Sequence, residues 1–492
     1  MPQWRQAASR GLMTDKPKRP WRGLTPPVVQ EERTVRRAVA AAAVGNFAAW
    51  YDFGLYSYLA VVVLNRVFFP DVGQWTTALA LGAFASAFLM RPLGGLVFGR
   101  LGDRFGRTRV LAASMLLMAA ATGLLGLVPG YGAIGLAAPM LVLLMRMLQG
   151  FAAGGEYTGA LTLIAEYAPD RRRGFFGSRL ELSTLTGYAL GAAVSGAVIA
   201  LLPDDALVAW GWRLPFMLAL PLGLTGLYLR IALEDTPAFR QLMERSPALS
   251  TMSVRRAVQI IAAHYRTAAL VAAGVTIAWN VTNYVLTNYV PAYLTGTLPR
   301  YGMGGTSEAV VTALQVATMV LMVCVIGSVG RLSDRIGRRP VLIMGSATLA
   351  VLGLPAVWLL REGLPGQIVG LLIMGTALVC FAAVSPSTLP ALFPTMVRYS
   401  GLAVIFNASV SLFAGTAPTV IEAATVATGD LDWPGYYLIG AGVIGLVSTC
   451  FLKEHAGRPL EGAAPLTSSS ELPPPPLSPE GVPLEYPHDE ES

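Results

Sequence analysis

Four ionisable residues, Asp52, Arg91, Arg146 and Glu156, interrupt long apolar runs of a 492-residue chain. An ionisable group in hydrocarbon is expensive, so each marks a site with a task. Asp52 and Glu156 are of the type that takes up and releases a proton. Arg146 would bind an anionic group, bias proton release or anchor its helix. A structural reading stands beside this one, because either carboxylate could pair with Arg146 or another interior cation and hold helices together. Trp50, Tyr51, Tyr56, Tyr157, Trp279, Asn280, Asn283, Tyr284 and Ser385 are also embedded in apolar sequence. Together they would make an aromatic and amide lining suited to a small polar solute, with cation–π capacity for a quaternary ammonium. Arg91, Glu166, Arg179 and Glu181 fall near predicted helix ends and read as a charge network.

The elements that position these groups follow from composition. Hydrophobic residues make up 54% and charged residues 13% of the chain, about half the charge of a soluble domain. Lipid admits only helices and closed barrels, and the apolar runs are long enough for helices. Twelve spans are predicted near 38–64, 76–98, 109–129, 137–168, 174–202, 213–233, 267–296, 307–330, 340–361, 366–393, 399–426 and 434–452. The expected fold is therefore an all-α integral membrane protein with twelve transmembrane helices in two six-helix pseudo-symmetric halves. The domains read as an N-terminal tail (1–37), a first bundle (38–233), a linker (234–266), a second bundle (267–453) and a disordered Pro-rich tail (454–492).

Basic residues alternate along the connections. Arg100 to Arg109, Arg171 to Arg173, Arg230 to Arg266 and Arg331 to Arg339 are basic, whereas the intervening links hold Arg66, Arg300 and Arg361. Positive loops stay in the cytoplasm, which puts both termini there. At 1.5 Å per helical residue, Asp52, Glu156, Asn280 and Ser385 lie about 20 to 22 Å from Arg37, Asp170, Arg266 and Arg398. Spans 1, 4, 7 and 10 would thus offer polar groups at one depth.

The run GRLGDRFGRT from Gly99 returns as GRLSDRIGRR from Gly330. Each copy reads as a tight turn on one side of the bilayer. Gly99, Gly102, Asp103, Arg104, Gly106 and Arg107, with Asp334, Arg335, Gly337 and Arg338, would form a conformational latch whose contacts differ between two states.

Other chemistry is excluded. Two GxGxxG runs, at Gly130 and Gly440, lack the strand and acidic residue of a dinucleotide site. His264, His455 and His488 lie in loops or tail and offer no nucleophile–base pair. Cys324, Cys380 and Cys450 lack metal-ligand spacing and read as packing residues. No enzyme, cofactor, metal, nucleic acid or obligate protein partner is expected, only a small-molecule substrate, a proton and the lipid bilayer.

The repeated turn resembles that of the major facilitator superfamily. WYDFGLYSYLA from Trp50, RPLGGLVFGRLGDRFGR from Arg91, RMLQGFAAGGEYTGA from Arg146, WGWRLPF from Trp210 and STLPALFPTMVRYSGLA from Ser387 resemble its metabolite:proton symporters. GGEYTGA and NVTNYVLTNYVPAYL are most similar to the proline/betaine transporters among them. That resemblance implies proton-driven uptake of a small polar metabolite, a zwitterionic osmoprotectant, across the bacterial cytoplasmic membrane. Alternatives are an organic-anion symporter, or an uncoupled facilitator or exporter of the same fold. The chain departs from the family in having Ala49 where an acid usually precedes Trp-Tyr-Asp, and a Pro-rich tail where some members end in a coiled coil.

Overall fold

The computed structural model describes residues 28–59, 63–70, 75–231, 233–245 and 254–468. The N-terminal 27 residues and the tail after Ser468, with its expected disorder, lie outside them. The first half comprises span 1 (Glu32–Leu59), span 2 (Trp75–Phe105), span 3 (Arg107–Leu127), span 4 (Ala137–Tyr167), span 5 (Arg173–Leu201) and span 6 (Arg213–Ile231). The second comprises span 7 (Arg266–Arg300), span 8 (Glu308–Ile336), span 9 (Arg338–Leu359), span 10 (Gly363–Thr388), span 11 (Arg398–Thr428) and span 12 (Trp433–Phe451). Helices dominate because every backbone polar group in lipid must be satisfied within its own segment. Two short helices, Pro237–Arg245 and Val254–His264, lie in the linker.

Close packing inside the first half depends on glycine. A Cβ on Gly150 of span 4 would sit 1.9 Å from the Ala87 carbonyl oxygen of span 2, so only hydrogen allows that crossing. The halves meet where span 2 packs on span 11 and span 5 packs on spans 8 and 10. Span 7 is not regular: widened turns at Val285–Tyr289 and Tyr293–Thr297 interrupt it. Such turns re-aim side chains and are common at functional sites.

Three expectations need correction. The GRLxDRxGR copies are not loops, since span 2 runs on to Phe105 and span 8 to Ile336. The turns are single residues, Gly106 (φ 104°) and Gly337 (φ 99°), in backbone that favours glycine. Gly99 and Gly102 instead admit span 11, because Cβ atoms there would meet Ser400 and the Tyr399 ring. The tail is not structureless throughout. Residues 454–468 cross the face carrying the turns, and Leu466–Ser468 pairs in parallel with Val28–Gln30. Leu460 and Leu466 supply the apolar anchors, each 3% exposed. Of the cysteines only Cys380 is buried; Cys324 and Cys450 face outward.

Candidate functional site

The membrane charges separate into three clusters. In the first, deep in the N-terminal half, Asp52 accepts from Thr122 Oγ1 (3.0 Å), Gln149 Nε2 (2.9 Å) and Arg146 Nη1 (3.2 Å). Arg146 also donates to Gln149 and lies over the Tyr56 ring, 4.1 Å from its centroid. Asp52 is 1% and Arg146 0% exposed. Arg146 is therefore paired with Asp52, with the Tyr56 ring against its guanidinium.

In the second cluster Glu156 forms a two-armed ion pair with Arg230 of span 6 and accepts from Ser114 Oγ at 3.0 Å. Arg230 looked like the start of the basic linker. It is instead 2% exposed and bonded to the backbone oxygens of Leu111 and Ala42. The two carboxylates do not share a depth. Their hydroxyl partners, Thr122 and Ser114, are eight residues apart on span 3, about 12 Å along the axis. A small void lined by Ala49, Thr122 and Glu156 lies between the clusters.

The third cluster lies where the halves meet. Tyr157 stacks on Phe406 of span 11 (5.0 Å between centroids) and lies 6.1 Å from Trp279 and 6.5 Å from Trp50. Arg91 lies 5.8 Å from the Trp50 ring centroid, 5.2 Å from Phe53 and 5.3 Å from Phe88. Its Nη1 donates to the Tyr284 hydroxyl at 3.5 Å, and its buried Nε has no acceptor among the described residues. Glu181 of span 5, 5% exposed, accepts from the hydroxyls of Tyr157 and Thr184. No ion pair to Glu181 occurs among the described residues. Against these rings lies a small cavity of about 20 Å³, room for about one water, lined by Trp50, Phe88, Tyr188, Asn283, Tyr284 and Asn288 among others.

Trp50, Tyr157, Trp279, Asn283 and Tyr284 thus come together as expected. Arg91 and Glu181 join them, contrary to their reading as a network near helix ends. Tyr51 does not, since its hydroxyl donates to the Pro215 oxygen at 3.0 Å. Asn280 bonds back to the Thr276 oxygen of its own helix, and the buried Ser385 hydroxyl has no partner among the described residues. Phe406 had no polar signal to betray it. Phe53 links the clusters: its ring lies 5.2 Å from the Arg91 guanidinium and 5.3 Å from that of Arg146.

The latch residues interlock the halves. Asp103 accepts from Ser400 N (2.9 Å) at the start of span 11, and Asp334 accepts from Gly174 N (2.7 Å) and Phe175 N (2.8 Å) at the start of span 5. Each carboxylate meets the positive end of a helix in the other half. Arg107 pairs with Asp103 (3.1 Å) and Glu166 (3.3 Å) and donates to the Thr395 oxygen (2.7 Å). Among the described residues the Arg338 guanidinium makes one ion pair, a long contact to Asp334 at 4.0 Å. Arg104 and Arg335 are exposed and stand outside the latch.

Sequence gave no hint of the strap over this face. The Glu461 oxygen accepts from Arg398 Nη2 (2.9 Å) and Thr395 N (3.1 Å) of the second half. The Arg458 oxygen accepts from Arg173 (3.1 Å), and Leu466 N donates to Asp170 (3.1 Å), both in the first half. Glu454 accepts from Arg339 N (3.0 Å), as Asp235 does from Thr108 N (3.2 Å) in the matching place. There backbone N–H bonds hold the Glu454 carboxyl below its ordinary range against the opposing effect of burial.

This geometry agrees with what the chain is similar to. The glycine betaine/proline/ectoine/pipecolic acid transporter OusA of Dickeya dadantii is 45% identical over 444 residues, 89% of this chain and 87% of the relative. The proline/betaine transporter of Salmonella typhimurium is 44% identical over the same shares. Among solved structures, the proton:xylose symporter XylE bound to 6-bromo-6-deoxy-D-glucose superposes with a TM-score of 0.71 at 18% identity, covering 88% of this chain and 99% of that one. The sugar (and other) transporter family model matches residues 38–466. With twelve helices in two interlocked halves around a shared pocket, the chain is a multi-pass membrane transporter and not an enzyme, and it belongs to that family of the major facilitator superfamily.

Proposed function

We propose that the protein imports a small zwitterionic osmoprotectant, such as proline or glycine betaine, together with a proton across a bacterial cytoplasmic membrane. Both termini and the turn face would then lie in the cytoplasm. The observation that carries this reading is the cage between the halves, which sets a guanidinium and a carboxyl around one group of aromatic rings. Arg91, with its idle Nε, suits the cargo carboxylate. Trp50, Tyr157, Trp279 and Phe406 suit its ammonium, with Glu181 behind Tyr157 as the matching anion. A purely anionic cargo fits less well, because Glu181 would repel it. The names of the relatives point to the same class of solute.

Asp52 is the proton site in this scheme. Protonation cancels its attraction for Arg146, which then moves against Phe53 and so alters the neighbouring Arg91. Glu156 is assigned a structural role, because its partner Arg230 shares no ring with Arg91 among the described residues, as Arg146 does through Phe53. With Asp103, Asp334 and the strap engaged, the turn face is closed, which corresponds to a state loading from the far side. Purified protein in proteoliposomes, offered labelled proline, glycine betaine, dicarboxylates, aromatic acids and sugars with and without a proton gradient, tests both halves of the reading. Uphill uptake confined to zwitterions and abolished by an uncoupler is the expected result. Accumulation of a dicarboxylate instead would refute the cargo, and indifference to the gradient would refute the coupling.

A further inference from the structure

A groove of about 610 Å³ runs down the flank between spans 1, 5 and 8. Its wall on span 1 is apolar, formed by Val39, Ala43, Val44 and Phe47, and Leu182 continues it on span 5. Toward the turn face the lining becomes basic, with Arg36, Arg172, Arg179 and Arg331. Arg179 belongs to the first half and Arg331 to the second, yet both lie over one ring, 4.5 and 4.6 Å from the Phe175 centroid. Neither has an ion pair among the described residues. Arg36 and Arg172 share a single carboxylate, Glu32, at 2.8 and 3.4 Å. The neighbouring Asp334 is already engaged by the Gly174 and Phe175 N–H groups. Among the described residues the four guanidiniums thus have one carboxylate, Glu32, paired with two of them, and the other two meet across the boundary between the halves.

We propose that this groove binds an anionic phospholipid, with the phosphodiester between Arg179 and Arg331 and an acyl chain along span 1. Arg179 is six residues inside span 5 and Arg331 five residues from the end of span 8, which puts both about 8 to 9 Å below the turn face. The apolar wall continues to Phe47, fifteen residues into span 1, or about 22 Å. Charge at the headgroup level and hydrocarbon beneath it match a lipid, whereas a soluble anion has no use for the wall. Because the two arginines come from different halves, the bound phosphodiester ties span 5 to span 8 while the turn face is closed.

Native mass spectrometry of the full chain in detergent, titrated with phosphatidylglycerol or with phosphatidylcholine of the same acyl chains, tests the site. Phosphatidylglycerol should be retained about thirtyfold more tightly, the worth of two basic residues near a membrane surface. That preference should vanish in Arg179→Gln/Arg331→Gln and persist in Arg109→Gln, a change at an exposed arginine outside the groove. Inorganic phosphate at millimolar concentration should not displace the lipid. Equal retention of the two lipids by the unaltered protein, an undiminished preference in the double variant, or displacement by phosphate would each overturn the proposal.

Discussion

Neutralising Asp52 separates coupling from binding. In Asp52→Asn the side chain keeps its shape and can still accept from Thr122 and Gln149, but Arg146 loses the carboxylate 3.2 Å away. Stranding one partner of a buried pair costs about 3–5 kcal/mol, so the single variant should be recovered in lower yield. Asp52→Asn/Arg146→Gln removes both charges and should recover much of that stability. A proton moving down 100 mV releases about 2.3 kcal/mol, and one pH unit adds about 1.4 kcal/mol. The sum corresponds to an accumulation ratio of roughly 500 for a neutral solute at one proton per cycle. In proteoliposomes holding those gradients, the unaltered protein should approach that ratio and both variants should stop near unity, while exchange of labelled for unlabelled solute continues. More than tenfold accumulation by the double variant would remove Asp52 and Arg146 from the coupling step.

The cage makes its own forecasts. Arg91→Gln should weaken uptake of the zwitterion about 30- to 100-fold in KM, the loss of a charge-assisted bond in a buried site, and an unchanged KM would place the cargo elsewhere. Phe53→Ala should leave binding within a few-fold yet flatten the dependence of uptake on the proton gradient, since it removes the ring shared by Arg91 and Arg146; a parallel loss of both would mark a packing role only. Ending the chain at Lys453 deletes the acceptors for Arg398, Thr395, Tyr265 and Arg173, at about 1 kcal/mol each. A cysteine at Ser387, in a background without Cys324, Cys380 and Cys450, should then be alkylated faster from the turn face; an equal rate would show that the strap does not hold that face shut. Asp103→Ala should have a similar but smaller effect, because the acceptor for Ser400 N and the partner of Arg107 are lost rather than a whole segment.

The twelve spans were legible because lipid leaves the backbone one local solution, and local solutions are written in consecutive residues. Spans 2 and 8 run seven and six residues past their expected ends because the motif continues each helix up to Gly106 and Gly337. The rings of the cage were legible in part, since Trp50, Tyr157, Trp279 and Tyr284 stand out against apolar neighbours. Pairing was not legible. Glu156 finds Arg230 across 74 residues and Asp52 finds Arg146 across 94, and nothing in the spacing within one helix says which face meets which helix. Counting rise per residue placed Asp52 and Glu156 at one level, but helices that tilt and run beyond the bilayer have no common origin, and their partners on span 3 separate them. The same holds for Arg91 and Glu181, whose distance from a charged loop says little about depth once span 2 continues through the motif to Phe105. The sequence by itself determined that these are helices in a membrane and that ionisable groups lie within them. Only tertiary packing decided which charges cancel, which face the pocket and which tail segment closes the face, because those outcomes depend on contacts between segments that chain order does not encode.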